Sequence, residues 1–132
     1  MNAVEYLVVI HGLAEQDVDT IYSWLGKRSR AGAVRWYAAL LQSIDSLKVR
    51  PERCPLAQES KRLGVSIREQ LFRTRRGRRY RLLFLIDQDT VRVLRIRGPG
   101  QESLRKSDLP DDAGRSPISH SRTWRRVVEN SV

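Results

Sequence analysis

The chain has 132 residues, 40% hydrophobic and 30% charged, with 25 Lys/Arg against 15 Asp/Glu and a formal net charge of +10. That length suits one domain with a single hydrophobic core and needs neither disulfide nor metal to hold it. One cysteine, Cys54, and two histidines far apart, His11 and His120, leave no internal disulfide and no recognisable metal-ligand spacing.

The opening residues, Met1 to Glu5, lack the basic start of a signal peptide, and the apolar run at residues 6–10 is too short to span a bilayer. A cytoplasmic protein without a membrane partner is expected. Residues 5–10 are β-branched and apolar and predict a strand, broken by Gly12. Val18, Ile21, Tyr22 and Leu25 then recur at i, i+3, i+4 and i+7, one face of a helix. Glu15, Asp17 and Asp19 fall in its first turns, where carboxylates meet the positive end of the dipole. Gly26 and the cations Lys27, Arg28 and Arg30 mark its close. A second helix carries a stripe of Val34, Tyr37, Leu41 and Ile44, widened by Leu40 and Leu47, and stops at Pro51. The connector at residues 29–31 is so short that the two helices are expected to pack as an antiparallel hairpin. Trp24 and Trp36 are expected to seal that hairpin or its contact with a sheet.

Residues 57–63 predict a helical turn closed by Gly64. Three strands follow at residues 66–73, 79–86 and 90–97, joined by hairpins around Gly77 and at Asp87-Gln88-Asp89. Simple alternation places Arg68, Gln70 and Phe72 on one face of the first, and Ile67, Glu69, Leu71 and Arg73 on the other. In the last strand it leads Val91 and Val93 to Arg95 and Arg97 on one face, an arginine rim where the sheet leaves the helices. Gly98-Pro99-Gly100 ends the compact part. Residues 103–117 read as a polar linker, and residues 121–132 as a marginal helix built on Trp124, Val127 and Val128. The expected organisation is a domain over residues 1–104 and a polar extension over residues 105–132. The fold class is α+β: an N-terminal strand and an antiparallel helix hairpin packed on a small antiparallel sheet of three to four strands.

Charge is concentrated rather than dispersed. Residues 61–97 hold 12 Lys/Arg against three acids, a net +9. A field of that sign attracts phosphates or an acidic protein. A basic face kept for solubility would intersperse acids more evenly.

The order of elements, together with particular residues, resembles the RelE/ParE superfamily of bacterial toxins from type II toxin–antitoxin modules. Those residues are Ala33-Val34-Arg35-Trp36 opening the second helix, Ile44-x-x-Leu47 followed by Pro51, and Ala57-x-Glu59. They continue with Gly64-x-x-Ile67-Arg68-Glu69, Tyr80-Arg81-Leu82-Leu83-Phe84 and the strand from Val91 to Gly98. The resemblance covers residues 4–104. It implies a growth inhibitor encoded with a cognate antitoxin that wraps it with a helix or strand, and it leaves the oligomeric state of that complex open. No cofactor or metal is expected.

Two mechanisms follow from the resemblance. RelE-like members cleave mRNA on the ribosome, which requires a base for the 2′-hydroxyl, charge stabilisation of the phosphorane and an acid for the leaving oxygen. Arginine suits the middle task through paired contacts to phosphate. Arg68, Arg73, Arg81, Arg95 and Arg97 are the candidates for binding phosphate or partner. Arg68, Arg81 and Tyr80 are the catalytic candidates of a nuclease, with Glu69 as a further acid or base. The family's nucleases place a histidine or tyrosine near the end of the last strand, where this chain has Gly98-Pro99-Gly100-Gln101. ParE-like members inhibit DNA gyrase and need no proton-transfer groups. The ParE-like reading is therefore preferred, the RelE-like nuclease is the alternative, and an inactive relative that only binds is the third.

Overall fold

A computed structural model describes residues 5–101, 103–109 and 122–123. Strand β1 (Leu7–Ile10) leads into α1 (Gly12–Gly26) and α2 (Arg30–Ser46). A single 3-10 turn (Pro51–Arg53) and the short α3 (Glu59–Leu63) precede β2 (Arg68–Phe72), β3 (Tyr80–Asp87) and β4 (Thr90–Arg97). A second 3-10 turn (Lys106–Asp108) and the two-residue β5 (Arg122–Thr123) complete the described elements. The strand order is β2-β3-β4-β1-β5. The α+β fold expected from the sequence is the fold found. Its sheet is mixed rather than wholly antiparallel, because β1 adds in parallel along β4, Leu7 beside Thr90 to Ile10 beside Val93.

Local chemistry explains the helix hairpin. The Gly32 amide donates to the Ser29 hydroxyl at 2.9 Å, so Ser29 caps α2. Residues 27–29 form the connector, and Tyr22 meets Tyr37 edge-on at 5.8 Å across the pair. The buried stripe of α2 is Ala33, Trp36, Leu40, Ser43 and Ile44. It is rotated from the expected one, and Val34 is 52% exposed. The rotation has a physical cause: Trp36 is the largest side chain on the helix, and it packs on the rings of Phe72 at 6.1 Å and Tyr80 at 5.5 Å. Trp36 thus seals the helix–sheet contact as expected. Trp24 does not. It is 46% exposed, with the Arg28 guanidinium 4.0 Å above its ring.

The sheet is covered on both faces. Val8, Ile10, Leu82, Phe84, Val91, Val93 and Ile96 pack against α1 and α2, while Ile67, Leu83, Leu85, Leu94 and Leu104 form a second cluster. This explains the unbroken apolar run Leu82-Leu83-Phe84-Leu85, since a strand buried on both faces does not alternate with polar residues. Leu83 pairs with Arg95 but Phe84 pairs with Val93, so Leu94 is an extra residue in β4. The bulge reverses the alternation. Arg95 and Arg97 share the face of Leu83 and Arg81, opposite the one that Val91 and Val93 occupy. The continuous face from Val91 to Arg97 expected from simple alternation is not formed.

Because β1 ends at Ile10, the last half of β4 has an open edge. Asp17 of α1 covers it: one carboxylate accepts the Ile96 amide at 2.9 Å and the Arg95 guanidinium at 2.7 and 2.8 Å. This residue was expected to serve the helix dipole and instead ties helix to strand. Residues 103–109, expected to begin a linker, also pack. Leu104 is fully buried, and Asp108 ion-pairs with Arg95. The helix expected over residues 121–132 lies outside the described residues except for Arg122–Thr123, which pair with β1 instead.

Removal of Asp17 takes one of the two carboxylates from Arg95 and uncaps the β4 edge at once. Asp17→Ala is expected to lower stability by about 3 kcal/mol, read as a lower urea midpoint with an unchanged slope. An unchanged midpoint would show that the edge needs no cap.

Candidate functional site

The arginines singled out in the sequence divide by what they touch. Arg81 lies on β3 opposite Arg97 of β4 and Leu71 of β2. Its guanidinium donates to both oxygens of Glu59, at 2.7 and 2.9 Å, and to Glu69 at 2.8 Å. The Glu59 side chain is fully buried, and it also accepts the Leu104 amide at 3.2 Å. The Arg81 contact holds the Glu59 carboxyl below its ordinary range against the opposing effect of burial, and the same contact raises Arg81. Arg95 is held by Asp17 and Asp108, and the Asp17 hydrogen bonds raise its pKa. Arg97 is 9% exposed and lies 3.9 Å from Asp17 and 3.6 Å from Asp108. The structure therefore brings Arg81, Arg95 and Arg97 together on one face, each beside carboxylates.

Arg68 stands apart on the outer strand and donates to the carbonyls of Glu52 at 3.1 Å and Cys54 at 2.6 Å. It fastens the 52–54 loop to the sheet edge. Beside it, Gln70 donates to Ser43 and Ser46 and so fastens β2 to α2. Cys54 is buried against Gln70, and burial pushes its thiol pKa up. Arg73 is exposed at the end of β2. Tyr80 is 8% exposed, stacked on Phe72 at 5.8 Å, and burial pushes its phenol pKa up.

A different group of cations lines an open cleft of about 630 Å³ between the helix hairpin and the β2–β3 hairpin. Its walls carry Arg28 and Arg35 from the helices and Arg75, Arg76 and Arg78 from the turn, with Trp24, Trp36 and Tyr80 among them and no acidic residue. All five arginines are exposed. The turn is tight at Gly77, whose amide donates to the Thr74 carbonyl at 3.1 Å. A Cβ there would fall 2.2 Å from the Thr74 hydroxyl oxygen. The arginine run at residues 75–79 was visible in the sequence as charge. That Arg28 and Arg35 face it was not, because the two segments are some 40 residues apart in sequence and meet only in the folded chain. Among the described residues, no group of three His, Cys, Asp or Glu could hold a metal ion.

A helix hairpin on one face of a small mixed sheet, on a strongly basic chain, defines an α+β protein of the RelE/ParE-like class. The chain belongs to the ParE toxin family: the pattern of the ParE toxin of type II toxin-antitoxin system, parDE, matches residues 8–102. No curated protein matches the sequence. Membership makes the protein the toxin of a type II module, with an antitoxin as its partner. Among the described residues, no helix is long and apolar enough to cross a membrane.

The Glu59–Arg81 contact predicts acid sensitivity. A carboxyl whose folded pKa is depressed contributes stability that is present above its ordinary value of 4.5 and is lost as pH falls through the folded value. Glu59→Gln is expected to cost about 3 kcal/mol at neutral pH and to flatten the fall in stability below pH 4.5. Urea titrations from pH 7 down to about pH 3 test this, and a parallel fall in both proteins would dismiss Glu59 as the acid-sensitive contact.

Proposed function

We propose that the protein arrests growth by inhibiting DNA gyrase through surface contact, and that its antitoxin relieves the arrest. One observation carries the preference over RNA cleavage. Arg81, one of the two arginines matched to a nuclease role, spends its donors on Glu59 and Glu69. A guanidinium clamped by two carboxylates must break charge-assisted bonds before it can take a phosphate. Arg95 is held in the same way by Asp17 and Asp108, and Arg97 lies 3.9 and 3.6 Å from the same two carboxylates.

Acid and base groups are also poorly supplied. Tyr80 is buried with a raised pKa, which favours the neutral phenol. Among the described residues the one histidine, His11, is buried at the β1–α1 junction, where its Nε2 accepts from Arg92 at 3.1 Å. An inhibitor that acts by binding needs neither group. Its requirement is an exposed surface of strong chemical character, and Arg73 together with the arginines at residues 75–79 supplies one. The nuclease alternative keeps one supporting feature: Tyr80 and Arg81 are consecutive on β3, and Tyr80 pairs with Phe72, the residue before the exposed Arg73.

Two measurements separate the readings. Purified full-length protein is expected to inhibit gyrase supercoiling at micromolar concentration, and added antitoxin to restore it. In cells arrested by the induced chain, mRNA 5′ ends are expected to stay unchanged. New ends inside translated codons, with supercoiling unaffected, would reassign the protein to RNA cleavage.

A further inference from the structure

The cleft between the helix hairpin and the β2–β3 turn shares Arg75, Arg76 and Arg78 with the surface proposed for gyrase contact, and adds to them Arg28, Arg35 and an exposed indole. Its five arginines, Arg28, Arg35, Arg75, Arg76 and Arg78, form no ion pair among the described residues. Five like charges gathered without a carboxylate repel one another, and an anion removes that repulsion. The N-terminal end of α2 opens into the same space through Ser29 and Gly32, adding the positive end of a 17-residue helix dipole.

Two aromatic features narrow the anion. Trp24 leaves 46% of its surface exposed on the cleft wall; the Arg28 guanidinium lies over one face of the indole at 4.0 Å, and a stacking base would displace it or take the other face. Trp36, also on the wall, is 3% exposed, and its indole N–H is buried without a hydrogen-bond partner. Buried donors are nearly always satisfied, and this one lies behind the cleft wall, where an acceptor reaches it only if the wall shifts. Carboxylates alone would answer the arginines but not the indole face. A ligand carrying both phosphates and planar bases answers both. A space of about 630 Å³ also lies in the range of clefts that hold small organic ligands and admits one or two nucleotides.

We propose that this cleft binds single-stranded nucleic acid, with a phosphate held by the arginines at the start of α2 and an unpaired base stacked on Trp24. Duplex does not fit this chemistry, because its bases are already stacked on one another. The site shares arginines with the gyrase reading, but it is measured with purified protein and oligonucleotide and not by supercoiling, so each proposal can fail alone.

The test is fluorescence anisotropy of a labelled single-stranded decamer titrated with the full chain across a salt series. Binding is expected to weaken with salt. Arg76→Ala is expected to reduce the logarithmic salt slope by about 0.7, the value of one single-strand phosphate. Trp24→Ala is expected to weaken binding roughly tenfold, and Trp24→Phe to recover most of the loss. Trp24 is largely outside the core, so equal urea midpoints for the three proteins are expected and confirm that the fold is retained. Lys61→Ala removes an exposed charge on α3, outside the cleft, and is expected to change little. Unchanged affinity in Trp24→Ala would overturn the proposal. So would equal loss in Lys61→Ala and Arg76→Ala, equal affinity for a duplex of the same length, a mononucleotide bound as tightly as the decamer, or an acidic peptide bound more tightly than either.

Discussion

The clamp between Glu59 and Arg81 is the contact on which the rest of the arrangement depends. A carboxylate with no exposed surface is costly unless it is paired and its remaining lone pairs are used. Glu59 meets both conditions, with two donors from Arg81 and a third from the Leu104 amide. Arg81 in turn reaches Glu69. One ion cluster thereby joins α3, two strands and the segment that follows β4. The same clamp answers a question about charge. An arginine in the middle of a strand reads from sequence as something offered to a ligand, yet here its donors are used inside the molecule.

Two populations stand out among the arginines of this chain for that reason. Arg81, Arg95 and Arg97 stand beside buried or half-buried carboxylates, and their charge is largely neutralised at short range. Arg28, Arg35, Arg75, Arg76 and Arg78 are exposed around one cleft without acids. Each arginine of either population counts the same in the formal charge of +10, but of the two groups only the second projects a field into solvent. Net charge therefore says that an anionic partner is expected, while the pairing pattern says where on the surface it is met.

Sequence patterning carries the fold well where periodicity is strong and badly where a single residue breaks it. The apolar positions Val18 and Ile21 do lie on the buried face of α1, and the three meander strands occupy nearly the expected residues. Gly64 closes α3 with φ +71, as its place after Leu63 implies. The face of β4 is lost at Leu94, because a bulge adds one residue without any sign in the hydrophobic pattern. The stripe of α2 is offset because one tryptophan outweighs several smaller apolar residues. For the candidate site, the local sequence shows which residues are basic but not which carboxylates stand opposite. Asp17 and Arg95 are 78 positions apart, and Glu59 and Arg81 are 22. Partners at such separations are set by topology, which leaves no local trace.

The cleft and the core share a wall, and this links recognition to stability. Trp36 faces the cleft and also packs on Phe72 and Tyr80 in the main cluster, while Tyr80 itself lines both. The helix hairpin supplies one side of the opening and the turn around Gly77 the other. Their separation is set by that aromatic contact and by the Gln70 bridge from β2 to Ser43 and Ser46 on α2. A ligand held between the two hairpins would strengthen the closing of the sheet against α2, since it binds only where both sides are in place. By the same linkage, loosening β2 from α2 would open the cleft before it unfolded the sheet, because β3 and β4 remain covered on both faces by the two apolar clusters. A ligand at this surface would thus be coupled to how firmly β2 is held against α2 and, through Tyr80, to the inner strand β3.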